Sequence, residues 1–287
     1  MQKIRKIIIP VAGLGTRFLP FTKAQPKEML PIIDKPVVQF IVEEAIASGI
    51  EDIILVTNQN KRAIEDHFDS SIELERFLKE AGKLEQLDEI RRISKLANFI
   101  YIRQKGPRGN GTPILNAKHL VKNEPFVVVW GDDIYIGEKK PRIKEMIEVF
   151  EKYTDPVLGL KKTDDEGTKK YGIINGKKIE KNVYQIKKIV EKPGPKKAPS
   201  RLACVAGYIL TPDIFDFLEN IPLRNNELWL VDAIDKLIKK RPLYGCLIDA
   251  KYYDTGSKIN WLKANIEFGL KHPEIKEELK KYLKNLK

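Results

Sequence analysis

The sequence predicts an α/β protein: a mostly parallel central sheet flanked by helices, with a smaller mixed β part later in the chain. Two observations carry this. The apolar run at Ile7, Ile8, Ile9 and Val11 is followed by the helical stretch VVQFIVEEAIASG and a second apolar run, EDIILVT. Strand, helix and strand in that order form a βαβ unit, whose default is a parallel sheet with helices on both faces. Beyond PVLGLKK the texture changes to short strands and turns, YGIINGKKIE and VYQIKKIVEKP, which a mixed β region explains. In such an architecture a ligand lies at the carboxyl ends of the parallel strands.

A chain of 287 residues, 42% hydrophobic, can bury a sizeable core. With no internal repeat or low-complexity linker, one compact body is expected over residues 1–272, and the C-terminal helices over 257–287 offer an oligomer contact. The net charge of +12 has two readings, attraction of acidic ligands or lysine-rich helix surfaces. The tail KEELKKYLKNLK suits the second reading and the loops suit the first. No basic stripe interleaved with aromatics is present, which argues against a nucleic-acid partner. Cys204 and Cys246 sit in strand-like apolar runs and read as buried thiols of a reducing compartment. The apolar patch near the N-terminus is too short for a leader, and no stretch reaches membrane-spanning length, so the expectation is a cytoplasmic protein with no membrane partner.

The stretch IIIPVAGLGTRFLPFTKAQPKEMLP organises the first half. A buried strand delivers a loop through Ala12, Gly13, Leu14 and Gly15, where glycine lets backbone N–H groups approach an anion. Arg17, Lys23 and Lys27 add positive charge, and the combination suits a polyphosphate. Neither the G-x-x-x-x-G-K-[ST] loop nor the dinucleotide G-x-G-x-x-G fits, since Phe18 stands where the latter needs glycine. A glycine turn before a solvated basic loop is the plainer alternative.

Pro36 and Gly49 bracket the first helix. The charged segment from Lys61 to Ser94 predicts two or three short helices, with His67 in a structural role on a helix surface. NFIYIRQ is a third strand ending at Gln104, whose amide offers the donor and acceptor that a pyrimidine edge requires, with Gly109 nearby. EPFVVVWGDD is a central strand closed by Asp132 and Asp133; carboxylates at that position hold a cation or form an Asx turn. RIKEMIEVFEKY is a helix, Asn175-Gly176 signals a hairpin, and NNELWLVDAIDKLIKK reads as a capped helix. At Glu191-Lys192-Pro193, a carboxylate for sugar hydroxyls and a cation for a phosphate stand side by side, although the same tripeptide serves ordinary turns.

G-L-G-T-R, P-K-E-M-L-P and the insertion containing H-F-D resemble the signatures of the sugar-nucleotide pyrophosphorylases, in particular the bacterial UTP-glucose-1-phosphate uridylyltransferases. The motif order is similar from Lys3 to about His272. The resemblance implies a Rossmann-like nucleotidyltransferase fold, with a nucleotide half at 1–140 and a sugar half at 141–256. It assigns Arg17, Lys27 and Lys192 to catalysis, and Ala12, Gly13, Leu14, Gly15, Glu28, Gln104 and Gly109 to the nucleotide. Gly172, Glu191, Gly207 and Glu227 fall to the sugar, and Asp132 with Asp254 to Mg2+. The implied substrates are UTP, or dTTP, and a sugar 1-phosphate, in a homo-oligomer such as a dimer or tetramer. Departures from the family pattern fall at Thr112, Pro113, Trp130, Gly131 and Trp229 and surround the base and sugar pockets. A thymidylyl or other nucleotidylyl transferase on another sugar 1-phosphate is the alternative within the enzymes, and a nucleotide-sensing or RNA-binding module is the alternative outside them. Asp132 and Asp254 are too far apart in sequence for a local metal loop, so their pairing is a statement about the fold.

Overall fold

The structure, a computed structural model, describes residues 3–136 and 140–286. The first half contains β1 (Lys6–Pro10), β2 (Pro31–Ile32), β3 (Lys35–Pro36), α1 (Val37–Ala47), β4 (Asp52–Thr57), α2 (Arg62–Phe68), α3 (Ile72–Glu80), α4 (Leu84–Ser94), β5 (Asn98–Arg103), α5 (Thr112–Asn116), α6 (Lys118–Val121) and β6 (Phe126–Val128). The second contains β7 (Asp133–Ile136), α7 (Arg142–Tyr153), β8 (Val157–Lys162), α8 (Asp165–Thr168), β9 (Gly172–Lys178), β10 (Val183–Glu191), β11 (Leu202–Leu210), α9 (Ile214–Asn220), α10 (Leu230–Leu237), β12 (Tyr244–Leu247), β13 (Lys251–Asp254), α11 (Lys258–Gly269) and α12 (Lys276–Lys284).

The central sheet runs β5-β4-β1-β6-β11-β8-β12-β10-β9. β1 is parallel to β4 and β6, β4 to β5, and β8 to β12. β11 runs against both β6 and β8, while β10 runs against β12 and β9, so the part of the sheet built by the second half of the chain is mixed as expected. Ile7, Ile8 and Ile9 are fully buried because the strand is covered on both faces. Alternation sends Ile7 and Ile9 into one core with Val38 and Ile41 of α1 and Met146 of α7. Ile8 joins the other core, with Ile114 of α5, Phe215 of α9 and Ile234 of α10.

A separate two-stranded ribbon decides the position of the carboxylates. β7 pairs antiparallel with β13 in a register that sets Asp133 opposite Asp254 and Ile134 opposite Tyr253. α11 then folds back on the opening segment. Trp261 Nε1 donates to the Pro31 carbonyl at 3.0 Å, Asn265 Oδ1 accepts from the Ile33 N–H at 2.9 Å, and Phe18 meets the Trp261 ring edge to face.

Helices at Val37–Ala47 and Arg142–Tyr153 agree with the sequence reading, and the Lys61–Ser94 insertion resolves into three helices, α2 to α4. His67 bridges to Gln39 at 2.9 Å, tying α2 to α1. Four local expectations are corrected. Trp130-Gly131 ends β6 early, and Asp133 opens a new strand instead of closing the old one. Asn175-Gly176 lies inside β9, because a Cβ on Gly176 would stand 2.7 Å from the Gln185 carbonyl and the glycine is there for close strand approach. PILNAKHLV forms two short helices broken at Ala117. Asn225 and Asn226, expected at a helix start, have φ of +53° and +60° and make a tight turn between Arg224 and Glu227, so α10 begins only at Leu230.

No helix among the described residues is long and apolar enough to cross a membrane. Beneath the ribbon, Arg142 is 1% exposed; its Nε donates to Glu44 Oε2 of α1 at 3.1 Å, and its guanidinium lies 4.3 Å from the Tyr135 ring centre. Replacing Arg142 with Met keeps the bulk but leaves the Glu44 carboxylate buried without its cation. A loss of about 3 kcal/mol is expected in urea unfolding, and Glu44→Gln in the same chain should recover part of it.

Candidate active site

The opening loop is held from both sides. The Val11 N–H donates to the Val56 carbonyl at 2.9 Å, and Asn58 Nδ2 donates to the Ala12 carbonyl at 2.6 Å. Gly15 has φ of +65°, and Thr22 Oγ1 donates to its carbonyl at 2.8 Å. A Cβ on Gly15 would stand 3.0 Å from Thr22 Cγ2 and 3.1 Å from Lys27 Cβ, so the loop closes directly over Lys27. Gly13 and Leu14 remain exposed at its crest.

Four of the expected residues meet at one point, which Gly256 marks. A Cβ on Gly256 would lie 2.6 Å from Asp132 Oδ2, 2.6 Å from Arg17 Nη2 and 3.1 Å from Asp254 Oδ1. Lys27 Nζ donates to Asp132 Oδ2 at 2.5 Å, and Arg17 Nη2 stands 4.0 Å from the same oxygen. The Thr255 N–H and Oγ1 both donate to the Asp132 carbonyl, at 3.1 and 2.7 Å, fixing the turn after β13 against the turn before β7. Burial acts to lower the pKa of Lys27, but the carboxylates of Asp132 and Glu28 outweigh it and hold the amine above its ordinary value. Burial pushes Asp254 up, with Arg17 opposing. Asp133 is pushed up to about 7 by burial and by Asp132, and Tyr252 Oη donates to it at 2.7 Å.

Glu28 does not face the open site. It is 1% exposed, and Lys61 Nζ, itself buried, donates to its Oε2 at 2.7 Å. Its Oε1 lies 4.0 Å from Lys27 Nζ with no hydrogen-bond partner. Glu28 therefore supports Lys27 from behind.

The donor set around Gly256 suits a hard divalent cation. No group of three or more His, Cys, Asp or Glu among the described residues forms a cage, but such an ion is commonly held by one or two carboxylates with substrate phosphates completing its shell. Asp132 and Asp254 supply two converging oxygens, and the missing Cβ of Gly256 leaves the space between them clear.

In the second half of the chain, register pairs Glu191 with Gly172 across β10 and β9, and a Cβ on Gly172 would come 3.1 Å from Glu191 Oε2. Both line a cavity with Asn110, Tyr208 and Trp229. Burial raises the pKa of Glu191, with Lys192 and Arg224 opposing. Lys192 has φ of +46°, a strained value for a side chain of its size, and its Nζ lies 3.8 Å from Glu191 Oε1. Burial raises the pKa of Tyr171, with the charges of Asp254 and Asp133 acting in the same direction.

Gly207 has φ of +108°, and a Cβ there would meet the Val128 carbonyl at 2.9 Å, so strand packing requires glycine at this position. Gly109 is similar, since a Cβ would lie 2.2 Å from the Leu228 carbonyl oxygen. Its loop is stitched to the one bearing Glu227: the Leu228 N–H donates to Arg108 O at 2.7 Å, the Gly111 N–H to Leu228 O at 2.9 Å, and the Leu230 N–H to Asn110 Oδ1 at 2.8 Å. Gln104 continues β5 through its N–H bond to the Thr57 carbonyl at 2.9 Å. Glu227 closes the turn with Arg224 and is not among the residues lining the cavity.

The pattern described as Nucleotidyl transferase matches residues 6–269. The chain belongs to the nucleotidyl transferase family. The UTP–glucose-1-phosphate uridylyltransferase YngB of Bacillus subtilis (strain 168) is 48% identical to this transferase over 99% of the chain and 96% of the relative. Among solved structures, the UTP-bound UGPase from Acinetobacter baumannii is 36% identical with a TM-score of 0.93, over 99% of this chain and 100% of that one. A UDP-glucose pyrophosphorylase complexed with UDP-glucose is 40% identical with a TM-score of 0.86, over 94% and 100%.

Sequence reasoning missed four residues that shape this transferase's site: Gly256, Lys61, Asn110 and Tyr252. Only Gly256 carried a local signal, the D-T-G turn after Asp254. Gly256→Ala forces its Cβ onto the mobile ends of Arg17 and Asp132 and not onto backbone, so the fold should survive. Turnover is expected to drop about a hundredfold from the displaced groups, with a thermal midpoint close to the parent's; steady-state rates and a melting curve check both.

Proposed function

We propose that the transferase makes UDP-glucose and pyrophosphate from UTP and glucose 1-phosphate. The convergence of Arg17, Lys27, Asp132 and Asp254 on one point beside the glycine loop carries this reading, and the uridylyltransferases and UGPases to which the chain is similar supply the substrates. A phosphate oxygen of the sugar phosphate attacks the α-phosphorus of UTP in line. The new P–O bond forms as the bond to the β-phosphate oxygen breaks, and pyrophosphate leaves. The attacking oxygen is already anionic, so no protein nucleophile or base is needed.

Repulsion between the two phosphates is the obstacle, and the side chains answer it with charge held in place. Lys27, fixed by Asp132 and by Glu28 behind it, meets the α-phosphate. Arg17, at the end of the exposed glycine loop, meets the departing pyrophosphate, and exposed N–H groups around Gly13 and Leu14 add donors there. Glu191 accepts from sugar hydroxyls, and Lys192 takes the sugar phosphate. Asp132 and Asp254 would hold a divalent cation, Mg2+ by the oxygen-only donors, and when bound it would supply further charge neutralisation. The nucleotide half before about residue 140 and the sugar half after it thus divide the substrates.

Pyrophosphate release measured with UTP, dTTP and other triphosphates against several sugar 1-phosphates tests the assignment. The highest kcat/KM is expected for UTP with glucose 1-phosphate; preference for dTTP would move the chain to the thymidylyl branch. Asp132→Asn should lower kcat by about a hundred- to thousandfold with the fold kept, and near-parental turnover would remove Asp132 from this role.

A further inference from the structure

Trp229 sits just before α10 and is one wall of the cavity lined by Gly172, Glu191, Asn110 and Tyr208. Its backbone is held from both sides, since the preceding Leu228 bonds to Arg108 and Gly111 and the following Leu230 N–H is taken by Asn110. The indole is thus a fixed surface. Two mobile cations rest on it: Arg224 Cζ lies 4.8 Å and Lys192 Nζ 5.8 Å from the ring centre. Each cation has only a loose carboxylate partner besides, Arg224 with Asp232 at 3.7 Å and Lys192 with Glu191 at 3.8 Å. Both side chains remain about half exposed, so water and chain entropy would otherwise scatter them. A ring face within about 6 Å of a cation restrains it at little desolvation cost.

We propose that Trp229 is a positioning residue for the sugar 1-phosphate, a platform that aims Lys192 and brings Arg224 to the cavity mouth as a second phosphate-binding cation. This rests on the transferase reading above and extends it. Glu191 on the cavity wall fixes the sugar end, and the two cations on the indole fix the phosphate end. The nucleotide's phosphate contacts are other residues, the glycine loop and Lys27, so loss of the ring face falls first on the sugar phosphate.

Trp229→Leu keeps an apolar wall and removes the ring face; Trp229→Phe keeps a smaller face. In Trp229→Leu, the KM for glucose 1-phosphate is expected to rise about tenfold, while the KM for UTP stays within twofold. Calorimetric titration should give the same split, with UDP-glucose weakened about tenfold and UTP little changed. Trp229→Phe should regain most of the loss, and Arg224→Ala should weaken UDP-glucose in the same direction. Equal losses for UTP and UDP-glucose, or a UDP-glucose affinity within twofold of the parent's, overturn the inference and leave the transferase reading intact. A parent chain that binds UDP-glucose with the predicted split yet releases no pyrophosphate sinks the reading of the reaction and not the role of Trp229. Failure of the parent to bind UDP-glucose overturns the inference.

Discussion

The site depends on a row of alternating charges, Lys61, Glu28, Lys27 and Asp132, the first two almost wholly withdrawn from water. Lys61 bonds Glu28 at 2.7 Å, Glu28 stands 4.0 Å from Lys27, and Lys27 bonds Asp132 at 2.5 Å. Such an arrangement is not built for stability, because desolvating each ion costs several kcal/mol that pairing only about recovers. What it supplies is position. Lys61 lies at the start of α2, Glu28 and Lys27 in the opening segment, and Asp132 in the turn before β7, so one row of charges registers three parts of the chain. The unpartnered Glu28 Oε1 is consistent with this. Its negative charge holds the Lys27 amine protonated and aimed forward, leaving the amine a point cation when a phosphate arrives.

The second constraint is mechanical. The loop after β5 and the segment before α10 are stitched by backbone bonds at Arg108, Gly111 and Leu228, with Asn110 capping the helix that follows. Gly109 cannot carry a side chain, since the Leu228 backbone occupies its place. A shift in the segment beside Gln104 therefore moves the segment bearing Trp229. The two halves, assigned to different substrates, share this seam as well as the β7–β13 ribbon, and neither can adjust alone.

How much of this could be read from the sequence depended on whether the cause was local. Apolar runs and helix brackets such as Pro36 and Gly49 are local, and the strands β1 and β4 and the helices α1 and α7 fell where periodicity put them. The resemblance reached further and proposed the partnership of Asp132 and Asp254. Glycines were legible as special but not for the right reason. Gly109 and Gly207 face a loop and a strand that approach from far along the chain, and Gly176 faces the neighbouring strand β10. Asn175-Gly176 carries the letters of a hairpin turn, and tertiary pairing with β10 overrode them. Conversely, Asn225-Asn226 makes the left-handed turn that the helical pattern around it concealed. Lys61 and Tyr252 carried no signal at all, because a charged residue in a charged segment and a tyrosine in a strand become notable only when their partners are known.

The departures from the family pattern are connected through one residue. Trp130 meets the Tyr208 ring edge to face, with 6.2 Å between centres, and Tyr208 lines the cavity that Trp229 walls. Thr112 is buried at the start of α5, directly after the glycine whose carbonyl-bonded N–H ties that loop to Leu228. Gly131 has its own cause, since a Cβ there would stand 2.7 Å from Val11 Cγ1 and 3.2 Å from Glu28 Cγ. Trp130 and Trp229 thus approach one cavity from opposite segments, whereas Gly131 packs against Val11 and Glu28 on the side of the charge row. The departures at 130 and 131 are adjacent residues that reach the cavity on one side and the charge row on the other, so a change in the cavity wall is carried to the residues that hold Lys27.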